Sequence, residues 1–179
     1  MRFCAVSAIA IYLLFISRCG LAQEQPTEYQ IKAAFIFNFA KFVEWPAAAL
    51  PKPTSPIIIG VLGENPFRDN LEKTIHNKTV DDHPLLVKLF RSVAEATNCH
   101  ILFISSPEAP RLAQILKTLQ GASILTVGEM DRFTENGGMI NFVFDGSKIR
   151  FKINPPKGIS NLSVRGKSGY YAETLNIKP

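Results

Sequence analysis

The sequence predicts an α/β fold, a three-layer α/β/α sandwich with a mostly parallel sheet. Two observations carry this expectation. Short apolar runs rich in Ile, Leu and Val recur between helical stretches, and unbroken apolar runs mark strands covered on both faces. Their alternation with helices indicates parallel βαβ units with right-handed crossovers. Near the end, two further runs flank Asp145-Gly146, a two-residue hairpin signal, so an antiparallel hairpin over residues 139–153 should close one side of the sheet.

The elements follow in order. Residues 1–22 read as a signal peptide. Arg2 is followed by Ala5 to Ile16, apolar except for Ser7, which is short for a membrane span of ~20 residues. Gly20-Leu21-Ala22 predicts cleavage after Ala22. A lipoprotein signal on Cys19 is the rival, opposed by Arg18, and a retained anchor is a third reading. Residues 23–179 then form a single domain, exported and most simply periplasmic. Cleavage removes Cys4 and Cys19 and leaves Cys99, which is either buried or paired with another molecule.

Thr27 is a helix N-cap with Gln30 as its capping-box partner. The helix should run to Val43 or Glu44, before Pro46. Ile31, Phe35, Phe39, Phe42 and Val43 form its apolar stripe, and Phe37 falls on the polar side. That ring is covered by the chain itself, by a dimer mate, or by another partner. Trp45 reads as an anchor against the sheet. Ile57–Leu62 is the first strand, followed by a helix over Pro66–His76 with Asn65 as cap. Strands follow at Leu85–Phe90, His100–Ser105 and Ser123–Val127, with a short helix at Val93–Thr97 and a longer one at Pro107–Gln120. In the hairpin, Phe142 should face Ile149, and Ile140 should face Phe151. Lys148, Arg150 and Lys152 then share the polar face, either as a solvated edge or as a steering patch for an acidic protein.

The chemistry is sparse. Apolar residues at 46% and charged residues at 20% exclude disorder. A net charge of +5 without a Lys/Arg block excludes nucleic acid as a partner. Asp81-Asp82-His83 reads as a turn, and Cys99 and His100 should point to opposite faces. No catalytic or cofactor motif is found, so no enzyme, metal or cofactor is expected. Ligands of open α/β sheets sit at the carboxyl ends of strands, which makes Gly63, Glu64 and Asn65 the candidates for a small ligand.

The blocks Ile31–Pro46 (IKAAFIFNFAKFVEWP), Ile59–Gly63, Asn65–Phe67, Cys99–Ser105, Ile124–Glu129, Gly137–Phe142 and Lys148–Asn154 resemble, in order, the YfiR family of periplasmic proteins. The resemblance implies a repressor that docks on the periplasmic sensor region of an inner-membrane diguanylate cyclase, controlling cyclic-di-GMP and biofilm formation. An outer-membrane lipoprotein can sequester such a repressor. Homologues allied to sensor kinases imply the alternative, a small-ligand receptor signalling to a histidine kinase. Two departures stand out. Cys99 alone cannot supply the cysteine pairs of redox-sensitive members. After Asn154 the chain diverges, with Pro155-Pro156, Gly166, Gly169 and Tyr170-Tyr171 where the family continues into a leucine-bearing helix. The contact residues expected for a partner are Phe37, Trp45, Lys148 and Arg150.

Overall fold

The computed structural model describes residues 26–146 and 148–154, and Ser163–Val164 by backbone alone. The signal-peptide reading of residues 1–22 and the divergent segments 155–162 and 165–179 lie outside the described residues.

Helix α1 (Glu28–Phe42) begins where the capping box places it, with the Thr27 N–H donating to Gln30 Oε1 at 2.7 Å. Its buried side is Lys32, Ala33, Phe35, Ile36, Phe39 and Ala40. This corrects the expected stripe, because Phe42 is 37% exposed. The small side chains of Ala33 and Ala40 let the helix lie close to the sheet, and a wheel weighted toward large residues misses that. After α1 come β1 (Val43–Glu44) and β2 (Ile57–Leu62). Then follow α2 (Asn70–Ile75), β3 (Thr79–Val80) and β4 (His83–Phe90). A 3₁₀ turn at Val93–Asn98 leads to β5 (Ile101–Ile104). A second at Ser106–Arg111 leads to α3 (Leu112–Thr118) and β6 (Leu125–Gly128). β7 (Ile140–Asp145), β8 (Lys148–Ile153) and β9 (Ser163–Val164) end the series.

Two helices are shorter than expected, each for a local reason. Pro66–Asp69 is a turn rather than helix, since Arg68 has φ +55°. Pro110 sits inside the Ser106–Arg111 segment, which is 3₁₀, and its missing N–H breaks an α-helical ladder.

The main sheet has seven strands in the order β3-β4-β2-β5-β6-β7-β8. β4, β2, β5, β6 and β7 run parallel, and β3 and β8 are antiparallel edges. β1 pairs separately with β9, Val43 opposite Val164. The fold is thus the expected α/β sandwich with the antiparallel strand at one side. The edge strand β3 was not foreseen. One core lies under α1 and α2 and takes Ile57, Ile59 and Val61 from β2. The other lies under α3 and the 3₁₀ turns and takes Leu62, Leu102 and Ile104.

The hairpin register differs from expectation. Phe142 faces Phe151, Ile140 faces Ile153, and Asp145 faces Lys148. Gly146, at φ +63°, opens the turn instead of closing it, so Asp145 joins the ladder. The pairing slips by two residues, which keeps every side chain on its expected face.

Candidate functional site

The four expected contact residues do not meet in one patch. Phe37 is half-buried on α1, its ring under Lys78 Nζ at 4.6 Å and Lys41 Nζ at 5.5 Å. Part of its covering is therefore the chain itself. Trp45 lies at the amino ends of the parallel strands, edge-on to His100 with ring centroids 5.3 Å apart. Its Nε1 is buried without a hydrogen-bond partner among the described residues. Lys148 and Arg150 stand on β8, the opposite edge of the sheet from β3. Arg150 Nε is 2.6 Å from Asp145 Oδ2.

His100 is held from both sides. Its Nδ1 accepts from the Ile58 N–H at 3.0 Å, and Nε2 donates to the Ala49 carbonyl at 3.1 Å. Burial holds its pKa below the usual value, more strongly than the Ala49 contact raises it, and His83 adds to the depression. Cys99 packs in the core of Leu102 and Ile104, although unbroken alternation back from β5 would place it with Ile101 and Phe103. Burial pushes its thiol up to about 12, and in this conformation the sulfur is shielded from a second molecule.

At the carboxyl ends of β2 and β5 the strand order reverses, where open α/β sheets bind ligands. Gly63 has φ +86° there. A Cβ on it would stand 2.5 Å from Ser105 Oγ and 2.8 Å from Glu108 Oε1. The protein's own side chains crowd this glycine. Ser105 Oγ donates to the Leu62 carbonyl at 2.8 Å, and Glu108 pairs with Arg111 at 2.5 Å. Asn65 is committed to its own turn, accepting from the Phe67 N–H and donating to the Arg68 carbonyl. Glu64 is exposed.

The densest polar cluster was missed by sequence reasoning. Lys32 is 2% exposed. Its ammonium meets Glu28 Oε1, and Glu129 Oε2 at 2.5 Å. The Tyr29 hydroxyl donates to Glu129 Oε1 at 3.1 Å. Burial first, then the Glu129 charge, pushes the Tyr29 hydroxyl up to about 12. The rings of Tyr29, Phe144 and Phe142 surround Lys32 Nζ at 4.8, 5.3 and 5.8 Å. Glu129 directly follows β6, and Phe144 lies near the hairpin tip with 60% of its surface exposed. Lys32 and Glu129 both sit in blocks of the family resemblance. Their spacing of 97 residues hides the contact from any local pattern.

A model of the YfiR/HmsC-like family matches residues 29–164. The chain belongs to that family. The match spans the whole described fold, from the first turn of α1 to β9. The family is one of periplasmic regulatory proteins rather than enzymes. No curated protein matches the chain. No helix among the described residues is long and apolar enough to cross a membrane.

Proposed function

We propose that this YfiR/HmsC-like protein is exported with cleavage after Ala22 and represses an inner-membrane diguanylate cyclase by docking on its periplasmic sensor region. The observation that carries the reading is the family match over residues 29–164. The mechanism is a population shift, in which tighter binding to the inactive sensor conformation holds the cyclase off. The β7–β8 hairpin tip is the contact surface we favour. It presents Phe144 at 60% exposure on one face and Lys148 and Arg150 on the other. Phe37 and Trp45 belong to other parts of the surface.

The test is capture of the tagged protein with crosslinked membranes from its own host. A membrane protein bearing a diguanylate cyclase domain is the expected catch. A sensor kinase, or no membrane protein, would sink the cyclase reading. Arg150→Glu and Phe144→Ser should release the cyclase, and Phe37→Ala should not. The reverse pattern would move the contact surface to α1.

A further inference from the structure

Among the described residues, no strand covers the outer edge of β4 beyond Pro84. The Phe90 carbonyl accepts from the Gly63 N–H at 3.0 Å, so Phe90 turns its backbone inward. Backbone groups alternate along a strand, so Lys88 and Leu86 turn inward as well. His83 faces β3, opposite Val80. Leu85, Val87 and Leu89 therefore turn their N–H and C=O groups outward. β3 reaches only as far as Pro84, and no other described strand lies beyond β4.

The side chains suit an added strand. Leu86 is 43% exposed and Leu89 58%. A recess of about 540 Å³ lies beside Leu85 and Val87, walled by Glu72, Ile75, His76 and Lys78. The opposite edge, β8, carries Lys148, Arg150 and Lys152, the charges that discourage strand addition. On β4 itself only Lys88 is charged, and neither Lys88 nor the adjacent Arg91 has an ion-pair partner among the described residues. Lys78 stands at the recess over Phe37.

These charges select the occupant. The chain's own C-terminal segment carries Lys157, Arg165, Lys167 and Lys178 against Glu173, the same sign as the edge. A second copy fits poorly. Antiparallel pairing centred on Val87 would drive its strand into Thr79 of β3, and pairing centred on Lys88 would set two ammonium groups face to face. We propose that an extended acidic segment of a partner protein adds to β4 as a further strand. Its main chain would pair with Leu85, Val87 and Leu89, its apolar side chains would cover Leu86 and Leu89, and its carboxylates would meet Lys78, Lys88 and Arg91. This surface is independent of the hairpin tip and of the partner's enzyme class.

The probe is a short labelled peptide of paired glutamates and paired valines, which sets both residue types on each face of a strand, compared with its lysine-for-glutamate counterpart. The protein is taken from the periplasm, and binding is read by anisotropy and amide exchange. The glutamate peptide should bind more weakly as salt rises and should protect the Leu85, Val87 and Leu89 amides, while the lysine peptide should not bind. Val87→Pro removes an outward N–H and should cost at least about tenfold in affinity. Lys88→Glu with Arg91→Glu keeps the backbone and should switch preference to the lysine peptide. Absence of binding, or binding without protection of those amides, overturns the proposal. So does protection of the same amides in the free protein. A dimeric mass by light scattering would then assign the edge to a second copy, and a monomeric mass to the chain itself.

Discussion

Lys32 is 2% exposed, its amine set among carboxylates and aromatic rings. Glu129 and Glu28 supply the opposite charge and three rings supply the walls. Such a pair is worth little against a well-packed apolar replacement, but breaking it is costly. Lys32→Met, which leaves Glu129 uncompensated, should cost about 3–5 kcal/mol in urea unfolding. Lys32→Met with Glu129→Leu should recover most of that, and a double variant no better than the single would show that the pair is not the cause. His100 gives a pH dependence. Its pKa is depressed in the folded protein by burial. The unfolded chain therefore takes up the proton first as pH falls through about 6.5, and stability declines from there down to the folded value. The urea midpoint should be lower at about pH 5.5 than at neutral pH, and His100→Gln should flatten the difference. Cys99 packs in one core and His100 turns to Trp45, but strand alternation is not the cause, because both residues precede β5 and Cys99 sits on the side of Leu102 and Ile104. The role of Lys32 was not legible in the sequence, because it depends on which loop the topology brings over α1.

At the scale of elements, the parallel strands were legible because burial on both faces leaves an unbroken apolar run that little else produces. Helix limits were not, because Arg68 and Pro110 act through single backbone torsions and amides. The segment after β6 shows a constraint no pattern announces. Phe133 is fully buried between two glycines. A Cβ at Gly128 would stand 2.6 Å from its ring, and one at Gly138 2.2 Å. Gly138→Ala should destabilise the fold by about 1–3 kcal/mol through overpacking, read as a lower thermal midpoint. Phe133→Leu in the same chain should restore part of the loss, and an unchanged midpoint in Gly138→Ala would mean that the loop yields freely. In the hairpin, the face of each residue was legible from alternation alone. The register was not, because Asp145-Gly146 and the turn one residue later place the same side chains on the same faces.

At the scale of the molecule, the sequence implied helices on both faces of a parallel sheet but not the order of its strands. That order depends on which crossover turns back, and local residues do not encode it. It places the crevice beside Gly63, with Ser105 and Glu108 packed against that glycine. The enclosed core of Cys99 gives a whole-molecule prediction. In the exported chain a thiol reagent such as Ellman's should react only on global unfolding, with the rate falling as stability rises; rapid labelling of the folded protein would refute this enclosure. The packing of α1 has a consequence for the order of events during biogenesis. Its Phe35 and Phe39 rest on Phe142 of β7 and Phe151 of β8, and its end continues into β1, which pairs with β9. A chain threaded across a membrane N-terminus first would deliver this phenylalanine-rich helix at the outset and the strands that bury it last. Until they emerge, its apolar side is a natural client for holding chaperones, and folding must be completed after translocation rather than during it.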